Sequence, residues 1–246
     1  MSIDPFLNAE KTDEGVEPPQ ASIPKERPGP KGGRRDLNRR ERVRTLCEAA
    51  EVLFLSQGIE NTTIDDITKA ASVAKGSFYR YFDGKEALVA HIFDPFATHI
   101  NDVLTTCGEA LKIAKSQAEM NASYEVLASA LGELFLTKME LTRLYLQENR
   151  AAYSPARAPI KALNDLVTRQ AIDLTEKAHL HGILRPFPAA VSAMAVIGTV
   201  ERLILAILND EDIGEVLEIP GAIISLILDG LIFRPGETPL YPEAEG

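Results

Sequence analysis

A short segment, residues 75–82, carries side chains suited to contact nucleic acid. Phe78 and Phe82 lie four residues apart, which places both rings on one face of a helix. The opposite face then carries Lys75, Ser77, Tyr79 and Arg80. Two cations, a hydroxyl and a phenol suit the phosphate oxygens and base edges of DNA. The pattern predicts a helix over 75–82 whose outer face reads DNA.

The residues before this segment predict the rest of a helix-turn-helix. Thr63 and Asp66 form a capping pair, with Asp66 a weaker partner than Glu at the third position. Ile64 and Ile67 begin an apolar face at helical spacing that lasts less than two turns. A helix this short is not stable alone in water, so other helices must pack around it. Residues 71–73 are the predicted turn.

The segment 62–88 resembles the DNA-binding motif of the TetR family of bacterial regulators in order and spacing. Two positions depart from the family pattern: Ser72 stands where Gly is usual in the turn, and Ala74 where a capping Ser is usual. The second departure weakens the start of the recognition helix by about 1 kcal/mol. A helix pair that packs without DNA is the alternative interpretation. The matching positions are Thr62, Thr63, Ile67, Ala70, Val73, Lys75, Gly76, Phe78, Tyr79, Tyr81, Phe82, Lys85, Glu86 and Leu88.

The resemblance and the outward-facing side chains together define the predicted DNA contacts. Lys85 would form a phosphate site with the amides that open the fourth helix. Arg44, on a first helix predicted over 37–57 and capped by Asp36, is either a contact to the DNA backbone or a solvated arginine. Arg34 and Arg35 belong either to a solvated linker or to a basic arm that enters the minor groove. The full set is Arg34, Arg35, Arg44, Thr62, Thr63, Lys75, Gly76, Ser77, Tyr79, Tyr81 and Lys85.

The charge of the chain is distributed in a way that favours DNA binding near one end. The net charge of the 246 residues is −10, yet residues 31–44 carry seven basic and two acidic side chains. Residues 91–246 carry 12 basic and 21 acidic side chains. A basic segment beside the motif attracts phosphate, while the acidic remainder is repelled by it.

The rest of the chain predicts an all-α fold, because no alternating strand pattern interrupts it. A long fourth helix follows Gly84, and Pro95 is expected to bend it. Further helices are predicted over 122–137, 139–151, 157–181, 188–209 and 216–233. The predicted domains are a disordered extension with a basic arm (1–35), a three-helix DNA-binding domain (36–83), a larger helical ligand-binding and dimerisation domain (84–233) and a flexible tail (234–246).

The two last predicted helices, 188–209 and 216–233, are more apolar than a helix with one buried face needs. The family resemblance explains this as a homodimer, with a four-helix bundle built from these two helices of each subunit. Two-fold symmetry also suits DNA, because two recognition helices must lie one helical turn apart. A monomer with a large core is the alternative.

The resemblance also implies a small-molecule pocket among the middle helices. For each candidate alone, core packing or surface exposure is the simpler interpretation. In the implied mechanism, the ligand shifts the fourth helix, changes the spacing of the recognition helices and lowers DNA affinity. The candidates are Phe93, Phe96, His99, Phe135, Met139, Tyr145, Glu148, Asn149, His179 and Met194.

No residue pattern indicates catalysis, a metal or a cofactor. His91 and Asp94, like His99 and Asp102, are spaced for a helix face, but further ligands would be needed. The two cysteines, Cys47 and Cys107, fit reduced thiols in a cytoplasmic protein better than a redox switch. Glu201 and Arg202 interrupt the most apolar stretch, so a buried helix is expected there rather than a membrane span.

The sequence therefore predicts a cytoplasmic homodimeric repressor that binds double-stranded operator DNA and leaves it when a small molecule binds. The alternative is a regulator of the same fold that activates transcription or recruits a partner without a small ligand. A helical interaction module that never binds DNA is the third interpretation.

Overall fold

The computed structural model describes residues 32–180 and 187–231, and the regular structure in these residues is all helical, as predicted. We call α1–α3 with their loops, residues 34–83, the head, and α4–α9 the body. The helices are α1 (Arg34–Gln57), α2 (Ile64–Ala70), α3 (Lys75–Phe78), α4 (Lys85–Ile113), α5 (Gln117–Thr137), α6 (Met139–Asn149), α7 (Ala158–Leu180), α8 (Ala189–Leu208) and α9 (Ile219–Leu231), with 3-10 turns at Pro155–Arg157 and Val216–Glu218.

The head has a fully enclosed apolar core. From α1, Leu46, Ala50 and Phe54 recur every four residues and are completely buried. Ile67 from α2 and Phe78 from α3 are also 0% exposed and belong to the same cluster. Short helices hold their shape here because burial of these side chains stabilises them.

The turn between α2 and α3 forms where the sequence predicts it. The capping box is present: the Thr63 hydroxyl accepts from the Asp66 amide (3.1 Å), and the Asp66 carboxylate accepts from the Thr63 amide (3.0 Å). Ser72 itself adopts the left-handed backbone conformation, with φ of 54°, at the position where a glycine is usual.

The recognition helix is shorter than predicted. Instead of running over 75–82, α3 ends at Phe78 and continues as tight turns, with the amides of Arg80 and Tyr81 donating to carbonyls three residues earlier. Ala74 offers no side-chain cap, and Gly76 lies inside the helix, so little in the local sequence extends it. Phe78 and Phe82 nevertheless share the buried face as predicted, with ring centroids 5.6 Å apart.

The first helix begins earlier than predicted. Arg34 and Arg35 lie in the first turn of α1, with exposed side chains, so they do not form an extended arm. Asp36, which was expected to cap the helix from outside, lies inside that turn and accepts from the Gly32 amide (3.1 Å). The remainder of the predicted extension, residues 1–31, and the predicted tail, 234–246, lie outside the described residues.

The body is built on α4, which carries the largest buried face. Its inward residues pack against α5 and α7, and α7 in turn packs against α8. Pro95 lies inside α4, and its expected bend stays a prediction. Among the described residues, α8 is the one helix whose length and composition would suffice to cross a membrane, and 22% of its apolar stretch is buried. Residues 181–186, between α7 and α8, lie outside the described residues.

Candidate DNA-reading surface and its junction with the body

The outer face of the α2–α3 motif is open and basic. The Lys75 ammonium is exposed and pairs with the Asp65 carboxylate (2.7 Å), which raises the pKa of Lys75. Tyr79 is 47% exposed, and its ring stands edge-on to Phe78, with centroids 5.4 Å apart. Apart from its own helix backbone and chain neighbours, no atom of the described residues lies within 4 Å of the position that a Cβ would occupy at Gly76, so another backbone can approach closely there.

Three predicted DNA contacts have structural roles, and two of them, Thr62 and Tyr81, are buried away from the outer face, which corrects those two. Thr62 is fully buried, and its hydroxyl donates to the Gly58 carbonyl (2.8 Å). The Thr63 hydroxyl is engaged in the capping box, where it also donates to Asp66 (2.6 Å). Tyr81 is 9% exposed and packs in the apolar core, because it follows Phe78 on the inner side of the turn. The side chains of Thr62 and Tyr81 therefore build the motif, while Thr63 is exposed and its DNA contact stays a prediction.

The half-exposed Lys85 ammonium is engaged by carbonyl groups of its own chain, which compete with the predicted phosphate contact. It donates to the carbonyls of Ile59 (2.6 Å), Glu60 (3.1 Å) and Thr62 (3.0 Å) in the α1–α2 loop. Burial lowers the pKa of Lys85, although the nearby Glu60 carboxylate opposes this. These loop carbonyls accept no helical hydrogen bond. The lysine at the start of α4 donates the hydrogen bonds that they would otherwise lack.

Arg44 lies on the exposed side of α1 between two carboxylates. Its guanidinium pairs with Glu41 and Glu48, each at 2.6 Å, and both carboxylates raise its pKa. A contact to the DNA backbone would have to compete with both partners. The structure therefore favours the solvated interpretation of Arg44.

A buried carboxylate joins the body to the head. Glu148, on α6, is 4% exposed and accepts from the Ile59 amide (3.0 Å) and from Arg157 Nε (2.6 Å). Arg157 also pairs with Glu60 of the α1–α2 loop (3.5 Å). Gly58 has φ of +84°, and a Cβ there would lie 3.2 Å from Glu148 Oε1. Glu148, predicted to contact a ligand, is therefore corrected to a junction residue, because a buried charge requires such partners.

Sequence reasoning missed this junction. Glu148 and Ile59 are 89 residues apart, and nothing in the local pattern pairs them. The one signal in the local sequence was Glu148 itself, an acidic residue on the apolar face of the short helix α6. Gly58, which follows the end of α1, makes room for Glu148, and this role was not visible in the sequence.

The remaining predicted ligand residues do not all lie together: Asn149 and Met194 line the cleft described in the next paragraph, and the others do not. Phe93, Phe96 and Phe135 pack on one another in the core, with successive ring centroids 6.3 Å apart. His99 and Met139 are exposed, and they face solvent. His179 is half-buried, with a ring Nε2 that has no hydrogen-bond partner among the described residues. The three phenylalanines therefore belong to the core, and the predicted ligand pocket stays a prediction.

An open cleft of about 360 Å³ lies instead between α6, α7 and α8. Asn149 Nδ2 donates to Asn164 Oδ1 and to Glu201 Oε1, both at 3.2 Å. Arg150 donates to the other oxygen of Glu201 (3.0 Å). The Tyr145 hydroxyl reaches Asn164 Oδ1 (3.5 Å) from the core side. The other lining residues are Thr168, Met194, Ile197 and Gly198.

The cysteines are free and widely separated, as in the reduced-thiol interpretation. Burial raises the pKa of the Cys47 thiol to about 12 and that of Cys107 to about 11, so both are protonated at neutral pH. Across residues 32–180 and 187–231, no group of three or more His, Cys, Asp and Glu side chains is arranged to hold a metal ion.

Known proteins are similar to this chain in the region of the α2–α3 motif. The family described as bacterial regulatory proteins, tetR family, matches residues 46–92. The transcriptional repressor KstR2 of Rhodococcus jostii (strain RHA1) is 30% identical over 103 residues, covering 42% of this chain and 48% of that protein. The repressor DhaR of Mycobacterium sp. (strain GP1) is 34% identical over 61 residues, which cover 25% of this chain and 31% of that protein. The matched region spans less than half the length of either relative.

Solved structures share the fold over most of the chain. NalD of Pseudomonas aeruginosa, a repressor of a multidrug efflux pump, superposes with a TM-score of 0.60 at 19% identity, covering 81% of this chain and 100% of that one. FadR of Bacillus halodurans, a regulator of fatty acid degradation, superposes with a TM-score of 0.61 at 16% identity. The superposition covers 76% of this chain and 98% of that one. At these identities the likeness concerns the fold alone.

Proposed function

The chain belongs to the TetR family of bacterial regulatory proteins, and on that premise we propose that it is a homodimeric transcriptional repressor that binds operator DNA. One observation carries this proposal: Lys75 and Tyr79 are exposed side by side on a motif whose inner residues are completely buried. A cation and an aromatic hydroxyl held rigidly at a surface suit a phosphate and a base edge. The proposed contacts are Lys75, Gly76, Ser77, Tyr79 and Arg80.

The exposed turn of α1 adds a second set of proposed contacts. Arg34 and Arg35 lie at the N-terminus of α1 with exposed side chains. Neither takes part in an ion pair among the described residues, whereas Arg40 and Arg44 do. Unpaired cations at the edge of a DNA-reading domain suit phosphate contacts, which add affinity without sequence preference.

The proposed dimer rests on apolar side chains that the single chain leaves open. On α8, Val191 is 53% exposed, Met194 59% and Leu205 39%, and Leu226 on α9 is 73% exposed. A second copy packed on this surface would bury them and would pair two recognition helices by two-fold symmetry.

We propose release by a small molecule as the mode of regulation. A relative of the same fold, FadR of Bacillus subtilis, was solved with stearoyl-CoA, at 17% identity and a TM-score of 0.58. That complex supports a small-molecule site in the body but does not indicate this chain's ligand. A regulator that activates, or that recruits a protein partner, remains the alternative, and a DNA-release assay against small molecules separates the two.

The test is selection of a binding site from random DNA, followed by titration across a salt series. The variant Lys75→Ala/Tyr79→Ala should lose on the order of 100-fold affinity, from one base-edge contact and one phosphate contact. Its salt slope should flatten by about one unit. A matched control is Tyr153→Ala/Lys161→Ala, which removes the same two side chains from exposed positions in the body. Equal affinity of the two double variants would contradict the proposed reading surface.

A further inference from the structure

The outer face of the α2–α3 motif carries a carboxylate among its cations. Asp65 lies in the first turn of α2, and 52% of its side chain is exposed. The capping box of this helix uses Thr63 and Asp66, so it does not require Asp65. The phosphates of DNA repel a negative charge on such a face, whatever the base sequence. A carboxylate at this place therefore lowers DNA affinity unless it also makes a favourable contact.

Asp65 is paired with the lysine of the recognition helix. Its Oδ1 lies 2.7 Å from the Lys75 ammonium. The ion pairs of Arg40 and Arg44 lie within α1, whereas this one joins α2 to α3. An exposed ion pair adds little to stability, so stability does not explain it. The pair instead neutralises the carboxylate and places it beside Lys75. An ammonium has three donors, so Lys75 can hold Asp65 and still reach a phosphate.

A neutralised carboxylate on this face has a defined preference among the bases. It accepts hydrogen bonds and donates none. In the major groove the amino groups of cytosine and adenine are donors, whereas guanine and thymine present acceptors, which a carboxylate repels. Adenine also carries the N7 acceptor beside its amino group, so cytosine suits a carboxylate best.

We propose that Asp65 is a specificity-determining residue, whose carboxylate, held by Lys75, accepts a hydrogen bond from the amino group of one cytosine in each half of the operator. Repulsion between acceptors excludes guanine and thymine at that position. This inference rests on the proposed function, because it requires the α2–α3 motif to enter the major groove of DNA.

The first test repeats the selection from random DNA with the wild type, Asp65→Asn and Asp65→Ala. An asparagine side chain pairs with both N6 and N7 of adenine, so Asp65→Asn should change the preferred base at one position of each half-site from cytosine to adenine. Asp65→Ala should lose the preference at that position and keep it elsewhere. A new preference is a gain that a damaged fold would not give.

The second test titrates each protein onto four operators that differ at this position alone. The wild type should bind the cytosine operator at least about 10-fold more tightly than the guanine or thymine operator. In Asp65→Ala this ratio should fall below about 2-fold. Its affinity for random-sequence DNA should rise by about 3-fold, because one negative charge no longer faces the phosphates.

The part played by Lys75 is measured by a double-variant comparison on random-sequence DNA. Lys75→Ala leaves the Asp65 carboxylate unpaired near the phosphates and should weaken binding. Lys75→Ala/Asp65→Ala should recover about 3-fold of that loss, because the unpaired charge is gone. A double variant that binds no better than Lys75→Ala would contradict the neutralising role of the pair.

A matched control removes another exposed carboxylate. Glu86 lies in the first turn of α4, and Glu86→Gln should select the same bases as the wild type at every position. A change of base preference in Glu86→Gln equal to that in Asp65→Asn would show a general effect of charge and overturn the proposal.

The outcomes separate this inference from the proposed function. A wild type that enriches no sequence would refute the proposed function and this inference with it. A wild type that enriches an operator, with the same base selected at every position by Asp65→Asn, would overturn the role of Asp65 alone. A wild-type preference for guanine or thymine at the position that Asp65→Ala affects would also overturn it.

Discussion

The head and the α8–α9 pair are both rich in apolar side chains, but they bury them differently. Phe54, Ile67 and Phe78 in the head are completely enclosed by their own chain. In α8, by contrast, Val191 and Leu205 remain exposed, and only 22% of the apolar stretch is buried. The apolar side chains of the head are therefore fully buried within one chain, in a core that continues into α4. The α8–α9 surface has the composition of a core without the enclosure, which is expected of an interface.

The sharpest test of the full burial in the head compares two neighbouring aromatic residues. Phe78→Ala should lower the free energy of unfolding by about 3–5 kcal/mol, because it leaves a cavity in a fully packed site. Tyr79→Ala, one residue away on the outer face, should change it by less than about 0.5 kcal/mol. Chemical denaturation monitored by circular dichroism measures both. Comparable losses in the two variants would show that the outer face is part of the core.

The incomplete burial of α8 is tested by placing a charge on its open face. Val191→Arg should raise the dissociation constant of the dimer by about 100-fold, because the arginine would be buried unpaired between subunits. Val52→Arg, at a valine 67% exposed on α1, is the matched control and should leave the dimer intact. Analytical ultracentrifugation over a concentration series gives the constants. If the wild-type chain stays monomeric at every concentration, the open face of α8 is not a dimer interface, and the contrast with the head loses its basis.

The role of Lys85 distinguishes a structural lysine from a DNA contact. Lys85→Ala should destabilise the chain by about 1 kcal/mol, because the carbonyls of Ile59, Glu60 and Thr62 lose their donor. Lys69→Ala, at an exposed lysine of α2, should cost no more than about 0.5 kcal/mol. Thermal unfolding without DNA measures the stability change in each of these two variants. If Lys85→Ala instead lost DNA affinity at unchanged stability, the phosphate contact predicted from sequence would be restored.

The smallest expected effect is a pH dependence where head and body meet. His91, on α4, packs against Phe82, and burial lowers the pKa of His91 below its ordinary value of 6.5. The nearby Arg39 acts in the same direction, and Asp94 opposes both. The unfolded chain therefore binds the proton more tightly than the folded chain, so stability is present above pH 6.5 and falls as the pH drops through this value.

We expect the wild type to lose a small part of its free energy of unfolding between pH 7.5 and 5.5 through this group, because solvent screens a half-buried histidine. His91→Gln should show a smaller loss over the same interval, and His99→Gln, at an exposed histidine of the same helix, should match the wild type. Thermal unfolding at the two pH values is the measurement. Identical pH profiles for wild type and His91→Gln would contradict this assignment.

Sequence reasoning recovered what local patterns encode. The capping box at Thr63, the turn at Ser72 and the helices of the body were predicted, because caps, turns and apolar periodicity act over a few residues. The all-α fold followed from the same signals. The length of α3 was wrong, because the prediction gave too little weight to the missing cap at Ala74 and to Gly76 inside the helix.

The functional surfaces were predicted less completely, for a physical reason. Lys75 and Tyr79 were placed outward correctly by helical spacing. Lys85, Glu148 and Glu201, however, have partners that lie from 23 to 89 residues away in sequence. Whether a charged side chain faces solvent or an internal partner depends on such contacts, and no local pattern specifies them.

The central claim is that two heads, held together by α8 and α9, read one operator. It is tested most directly by titrating the chain onto a selected palindromic site and onto its half-site, with complex mass measured at each step. We predict two chains on the full site, weak binding to the half-site, and loss of about 100-fold affinity for the full site in Val191→Arg. One chain bound as tightly to the half-site as to the palindrome, with Val191→Arg unaffected, would contradict the account.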